Sequence, residues 1–457
     1  MPTAQEPPEG LDIILVNTPI HDYSSYPRFE STHTPPLGLI SLASYLNQRG
    51  LSSEVLDAEL HQLSPVEVSQ ILEKARPKFI GLNCFSVNIS VTRALLQSFR
   101  HLPSEIVLGG PHVTLMRPHD IKRSLPEAQW IIRGDGEVPL YQLLADPQAS
   151  GNHPAVINLA ATPSRDGVIS VCAHEQSVLD RNLSRGEPAM RFGLTWYALS
   201  LSRGCTFRCT FCAGSSSSNG APYRRIVQQT LEAELENLRE LGASGVRIVD
   251  DLPFGNVDGL RTFLRSASQL GLTAQWDVNL PVSLASLQAP EQWEELQALG
   301  LSTISFGVEA ADEQLRHQLG KRVSTEAIYR LTEALHAAGI GYKTYFILGS
   351  PGESRLQACN SLSMARMLTY RTGDHRDGRA AIFAFKPMPG SRTWKKLICE
   401  GFTIDQLLDY TDFRLDATYA QKGAWRSKLQ FGECTPYEIE AMIDEHYSGS
   451  DFVGPDR

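Results

Sequence analysis

Short apolar segments alternate with longer amphipathic ones twice along this chain, and the alternation constrains the fold more than any other feature. Between residues 11 and 145, Ile13 to Val16, Ser53 to Leu56, Phe79 to Leu82, Ile106 to Leu108 and Trp130 to Ile132 read as strands. Between them Leu37 to Arg49, Val66 to Ala75, Val91 to His101 and Val138 to Leu144 repeat their apolar residues at helical spacing. Each unit closes on turn residues, as at Gly50, Pro77 and Gly109-Gly110. A repeated strand-helix unit builds one core only as a parallel sheet covered by helices. Residues 1 to 145 are therefore expected to form a doubly wound, Rossmann-like α/β domain, with a ligand crevice at the carboxyl ends of its strands.

Residues 146 to 195 are dense in Pro, Gly, Ser, Asn and Asp, with apolar fragments at Val156 to Leu159 and Val168 to Val171. They read as a connector, with room for a small hairpin. From Tyr197 the alternation resumes with longer helices. Strands are expected at Ala198 to Ser202, Val246 to Val249, Ala274 to Val278, Thr303 to Gly307, Tyr342 to Leu348 and Ala381 to Phe385. Helices are expected at Gln229 to Leu241, Gly259 to Leu270, Pro290 to Leu299, Thr325 to Ala338 and Arg355 to Tyr370. Six such units suit a partial (β/α)6 barrel over residues 196 to 389, whose reacting groups would sit at the carboxyl ends of the strands. Residues 390 to 457 form a short C-terminal extension. Its aromatic series Trp394, Tyr410, Phe413, Tyr419, Trp425 and Phe431 is expected to cover the barrel mouth, although packing on the outer helices would give the same pattern.

Composition narrows the partners. At 457 residues the chain exceeds one ordinary core, and it has no apolar run long enough to span a bilayer. Met1 to Gly10 lacks a basic segment followed by an apolar one, so secretion is not expected. A formal net charge of -9 disfavours a nucleic-acid partner. It is compatible with a cationic small substrate. Of the eight cysteines, Cys84, Cys172, Cys359, Cys399 and Cys434 are scattered, which suits a reducing cytoplasm rather than a disulfide framework.

The other three are crowded. Cys205, Cys209 and Cys212 stand in a C-x3-C-x2-C spacing with Phe211 before the last. A structural zinc or a fully protein-held four-iron cluster takes four ligands, so a trio suggests a cluster with one iron left open. Ordinary thiols, or half of a zinc site, are the competing readings.

This stretch resembles the C-x3-C-x-aromatic-C signature of radical S-adenosylmethionine (SAM) enzymes. The resemblance implies a [4Fe-4S] cluster whose open iron is chelated by the amino and carboxylate groups of SAM, which is then split to a 5'-deoxyadenosyl radical that abstracts hydrogen. It also implies an electron donor such as flavodoxin. Asp250-Asp251 resembles the family's acidic strand end, where a carboxylate holds the SAM amino group or touches substrate. An N-terminal helix cap is the plainer reading. Asp277 ends a strand with alternating polar positions that can face the lumen. Ser305 and Glu309 match a motif near the methionyl and ribose parts of the cofactor, and Tyr345, Ile347 and Gly349 match the adenine-contacting segment. Lys343, Tyr345 and Lys386 are candidate proton donors or substrate contacts. The helix Gln314 to Lys321 and the pair Arg224-Arg225 read as surface features.

Residues 1 to 145 look like the cobalamin-binding-type domain fused in front of many such barrels, through Pro35-Pro36-Leu37-Gly38, Gly109-Gly110-Pro111-His112 and Gly134-Asp135-Gly136-Glu137. The D-x-H-x-x-G lower-ligand motif is absent, since His61 follows Asp57 by four residues where the motif needs two. Methylthiotransferases of tRNA are disfavoured because their N-terminal domain carries a second cysteine trio. Two reactions remain. One is cobalamin-dependent methyl transfer. The other, favoured by the sequence, is radical dehydration of a vicinal diol on an aminosugar, as in the radical SAM diol dehydratases of apramycin-type aminoglycoside biosynthesis, which act with a partner reductase. The acid and base for dehydration would come from Asp250, Asp251, Asp277, Glu309, Lys343 and Lys386.

Overall fold

The computed structural model describes residues 7–25, 35–147, 155–159, 177–184, 189–191, 193–214, 223–286, 288–370, 379–409 and 428–448. Cys172, Val168 to Val171, Tyr410, Phe413, Tyr419 and Trp425 lie outside them. The chain divides into two compact units, one drawn from residues 1–187, 216–231 and 388–395, the other from 188–215, 232–387 and 396–457.

In the first unit, β1 (Ile13–Val16) is Ile-Ile-Leu-Val and buried at every position, as a central strand covered on both faces must be. The strands β2 (Ser53–Leu56), β1, β3 (Phe79–Asn83), β4 (Glu105–Gly109) and β5 (Trp130–Ile132) lie in that order and run parallel. The helices α1 (Leu37–Asn47), α2 (Pro65–Ala75) and α3 (Ile89–Ser98) connect them. Ile40 and Leu46 of α1 and Leu143 of the later helix α6 (Glu137–Ala145) pack with Ile13 and Leu15 in one core. The start of α2 is fixed by a reciprocal cap: the Glu67 amide donates to Ser64 Oγ at 3.3 Å, and Glu67 Oε2 accepts from the Ser64 amide at 2.8 Å.

Two expectations change here. Val156 to Leu159 is not connector, because β6 (Val156–Asn158) pairs antiparallel with β5 and extends the sheet. A three-residue run buried on one sheet edge carries too short a pattern to stand out. Between β4 and β5 the chain also forms α4 (Pro111–Leu115) and α5 (Pro118–Ser124), each opened by a proline at its first turn.

The second unit is a sheet in the order β15-β14-β13-β12-β11-β8-β7. The strands β8 (Leu194–Leu199), β11 (Gly245–Ile248), β12 (Gln275–Asn279), β13 (Leu301–Glu309), β14 (Gly341–Leu348) and β15 (Arg379–Ala384) are parallel. They form the expected curled half-barrel, and β7 (Ala189–Arg191) is added antiparallel at one edge. Two-residue strands at Ser202–Arg203 and Arg224–Arg225 are β9 and β10. The first barrel strand begins earlier than Ala198, inside the expected connector. Trp196 pairs with Gly245, and a Cβ on Gly245 would meet the Trp196 ring at 2.3 Å, so the glycine makes that pairing possible.

Alternation along β14 separates two faces. Tyr342, Thr344, Phe346 and Leu348 are buried, whereas Lys343, Tyr345 and Ile347 are half-buried on the other face. Behind the strands lie α7 (Gln228–Glu240), α8 (Val257–Gln269), α9 (Val282–Ala285), α10 (Pro290–Ala298), α11 (Glu313–Gln318), α12 (Thr325–Ala337) and α13 (Arg355–Tyr370). After β15 come α14 (Arg392–Cys399), α15 (Ile404–Leu407) and α16 (Pro436–Ser448). Helix α16 covers the β15 edge: the Ile382 amide donates to Tyr447 Oη at 3.2 Å, and His446 Nε2 bonds the Ala380 carbonyl at 2.9 Å. No helix among the described residues is long and apolar enough to cross a membrane.

Candidate active site

The loop after β8 carries Cys205 and Cys209, then Cys212, with Cys209 buried and the other two half-buried. It is held from the far side of the barrel. The Thr210 amide donates to the Leu319 carbonyl at 2.9 Å, and Phe211 packs on Ala310, Leu315 and Leu319. Gly320, in the left-handed region at φ +84°, approaches so closely that a Cβ there would stand 2.7 Å from the Arg208 carbonyl oxygen. Phe211 thus anchors the loop on the end of β13. Among the described residues no three His, Cys, Asp or Glu side chains gather around one metal-sized point.

Two opposite charges flank the trio. A Cβ on Gly214 would lie 2.6 Å from Asp251 Oδ2 and 3.7 Å from Cys212 Sγ, so the missing side chain lets the carboxylate and thiol approach. Burial, then Asp251, pushes the Cys212 thiol up to about 12, and the same causes raise Cys205. The positive charge is Lys321, whose Nζ lies 2.9 Å from Glu309 Oε1. Burial opposes the ammonium, but Glu309 and Cys209 outweigh it and raise its pKa. Gly307 makes room for the pair, since a Cβ there would meet Lys321 Nζ at 2.8 Å. Glu309 itself is buried with φ +69° at a register shift in β13, a conformation that costs about 1–2 kcal/mol for a residue with a Cβ.

The segment Gln314 to Lys321 is therefore not a surface feature. Arg316 of α11 is fully buried and donates to the carbonyls of Ala310 at 2.6 Å and Ala311 at 2.8 Å. Those bonds join α11 to the strand end that carries Glu309. Nor is Arg224 solvated: it pairs with Asp135 at 2.7 Å, both side chains being largely buried.

The adjacent aspartates part company. Asp250 accepts from Ser200 Oγ at 2.6 Å and from the Leu201 amide at 2.7 Å, tying the ends of β8 and β11 together. Burial raises it to about 6 against those hydrogen bonds. Asp251 alone faces the cysteines. Asp277, Ser305 and Lys343 line a cavity within the barrel, and Lys343 Nζ stands 5.6 Å from the Tyr345 ring centroid. Ile347 shares that face. The amides of Gly349 and Ser350 are turned to the Glu353 carboxylate, which burial raises to about 7. The buried Lys386 donates to the Asp409 carbonyl, and Phe431 packs on Phe385 and Phe402.

In the first unit the strand order reverses across β1 and β3, the place where doubly wound sheets open a crevice. Its rim is a polar chain: Asn17 Nδ2 donates to Asp57 at 2.7 Å, Asn83 Nδ2 to Asn17 at 2.8 Å, and the Thr18 amide to Asn83 at 2.7 Å. Thr18 Oγ1 and His112 Nε2 are buried without hydrogen-bond partners among the described residues. Ser86 Oγ fixes the other His112 ring nitrogen at 3.0 Å, and burial lowers the imidazole to about 4, so it is neutral at physiological pH. A rim with orphaned neutral polar atoms fits a large amide-fringed ligand such as a corrin, because buried polar groups demand partners.

The fold and this donor set define a radical SAM domain joined to a B12-binding-type domain. Residues 199–363 match the Radical SAM superfamily and residues 31–144 match the B12 binding domain. A radical SAM domain takes a [4Fe-4S] cluster and SAM, and three thiolates flanked by Asp251 and Lys321 fit both.

In sequence the chain is similar to an uncharacterized methyltransferase of Pyrococcus horikoshii, 24% identical over 86% of this chain and 84% of that one. In structure it is similar to the radical SAM methyltransferase TsrM from Kitasatospora setae, solved with tryptophan substrate and a SAM analog (TM-score 0.64, 16% identity, 85% of this chain and 76% of that one). It is also similar to the cobalamin-dependent SAM radical enzyme OxsB, solved with aqua-cobalamin and SAM (TM-score 0.62, 18% identity, 98% of this chain and 63% of that one).

Proposed function

We propose that the chain is a cobalamin-dependent radical SAM methyltransferase acting on a small molecule. The observation that carries this reading is the rim of the first unit, where Thr18 Oγ1 and His112 Nε2 are buried without partners among the described residues beside the switch point. The names of the methyltransferase relatives support it over the diol dehydration expected from the sequence. Dehydration also needs a mobile acid and base, and Asp250, one of its carboxylates, is engaged by Ser200 and Leu201.

When bound, the cluster and cobalamin supply the electron and the methyl carrier. The chain's own residues orient what enters. Cys205, Cys209 and Cys212 would hold the cluster. Asp251 would receive the SAM ammonium and Lys321 its carboxylate, so each end of the zwitterion would meet a charge of opposite sign. Glu309, held in place by Lys321, accepts from ribose hydroxyls. The neutral His112 offers its free nitrogen to a corrin amide.

Anaerobic reconstitution with hydroxocobalamin and gel filtration tests the reading. About one corrinoid per chain is expected to co-elute, with retention reduced in His112→Ala and the absorbance of the iron-sulfur cluster unchanged. Full-length, cluster-loaded protein that retains no corrinoid would refute methyl transfer by this route.

A further inference from the structure

The floor of the second unit's barrel is charged where a parallel barrel is ordinarily filled by branched aliphatic side chains. A small open cavity lies there, lined by Arg247 of β11, Asp277 and Asn279 of β12, Thr303 and Ser305 of β13 and Lys343 of β14. The register sets these side chains in two rows. Arg247, Asp277 and Thr303 are successive partners across three strands. Asn279, Ser305 and Lys343 form the next row toward the carboxyl ends. Rows two residues apart stand roughly 7 Å apart along a strand, within reach of one small ligand.

Arg247 is the informative member. It is the one exposed position of β11, and among the described residues its side chain makes no hydrogen bond or ion pair, not even with Asp277 beside it. A guanidinium presents five donors in a rigid fork and does not shed its charge. A strand that directs one into a chamber without neutralising it leaves a socket for an anion. With Lys343 the chamber holds two cations against Asp277, one net positive charge.

We propose that this chamber binds an anionic oxygen group of the substrate, a carboxylate or a phosphoryl-type anion. The Arg247 fork and the Lys343 ammonium take its oxygens, while Asp277 accepts from an amine or hydroxyl of the same molecule. The inference rests on the barrel being the seat of the radical chemistry and names the class of molecule it acts on. It departs from a purely cationic aminosugar, whose ammonium groups would find one carboxylate here and two competing cations.

Bromide is the probe. Crystals of the anaerobically reconstituted full chain, soaked in sodium bromide, are expected to give an anomalous peak in contact with Arg247 and Lys343. Acetate or phosphate should displace it. Displacement by acetate points to a carboxylate ligand, and by phosphate to a phosphoryl one. In calorimetric titration the stronger of these two anions should bind Arg247→Gln at least tenfold more weakly than the parent, with Arg247→Lys recovering part of the loss. A chamber without bromide, bromide that neither anion displaces, rubidium occupying the chamber instead, or unaltered anion affinity in Arg247→Gln would each overturn the proposal. Reductive cleavage of SAM by the parent enzyme is scored separately. If cleavage fails while bromide binds, the radical reading falls and the anion socket stands. Intact cleavage with an empty chamber gives the converse.

Discussion

Replacing Gly320 by alanine separates two costs that the structure assigns to one residue. Gly320 and Gly339 both lie in the left-handed region, at φ +84° and +71°. Around Gly339, which follows α12, a Cβ would meet nothing within 4 Å. Gly339→Ala should therefore cost only the left-handed strain, about 1–2 kcal/mol. At Gly320 the added carbon would stand 2.7 Å from the Arg208 carbonyl oxygen and 3.1 Å from Cys209 Cα. Both are backbone atoms of the cysteine loop, so no side-chain rotation relieves the contact. Overpacking of this kind adds about 1–3 kcal/mol, which brings Gly320→Ala to about 2–5 kcal/mol. The strain should be released by moving the loop, because the Thr210–Leu319 backbone bond is the local tie beside it. Urea unfolding of the reduced apoprotein measures the difference between the two variants, and iron per chain after anaerobic reconstitution measures loop displacement. Only Gly320→Ala should lose iron. Equal destabilisation of the two variants with full iron retention would refute the docking of Gly320 on the loop.

Two further changes test neighbouring carboxylates. Burial raises Glu353 from 4.5 to about 7 in the fold. The unfolded group ionises first as pH rises, so the native state holds the extra proton between those values and stability falls across that window by up to about 3 kcal/mol. Glu353→Gln should abolish the falling limb in denaturant titrations from about pH 5 to about pH 8, and an unchanged slope would exclude Glu353 as its source. Asp250→Asn should lower stability by about 1–3 kcal/mol through its weakened bonds to Ser200 and Leu201, leaving SAM affinity in equilibrium dialysis intact. Asp251→Asn should show the reverse, and identical behaviour of the two would contradict their separation.

The strand and helix order was legible because burial on a parallel sheet writes a local pattern: β1 is wholly apolar, and β14 alternates residue by residue. The cysteine trio was legible for the same reason, its spacing being confined to one loop. What escaped depends on contacts between distant segments. Lys321 and Arg316 look like solvated helix charges until α11 docks against the end of β13 and places one beside the cysteines and the other on the Ala310 and Ala311 carbonyls. The Gly-Lys ending of that helix was the available signal, since a left-handed glycine announces a close approach or a cap. Asp250 and Asp251 were weighed as a pair, yet successive residues leaving a strand point to opposite sides, so only one could face the cysteine loop. Arg247 went unnoticed because a single charge in a four-residue strand resembles an edge position.

Neutralisation distinguishes the two cations that matter most in this barrel. Lys321 is held by Glu309 at 2.9 Å, and a largely buried ion pair adds little net stability once desolvation is counted. Glu309 moreover adopts a strained backbone to reach it. Such an arrangement is poorly explained by folding energy and well explained by fixing a charge at one point near the cysteines. Arg247 presents the opposite case: among the described residues it has no partner, so its charge gains nothing from them on folding, and an aliphatic residue would fill the floor better. From Ser305, beside that floor, to Glu309 the chain runs four residues along β13, roughly 13 Å. A molecule anchored at Arg247 would therefore extend toward the cysteine end rather than compete for the same charges, and the separation lets cofactor and substrate be recognised independently.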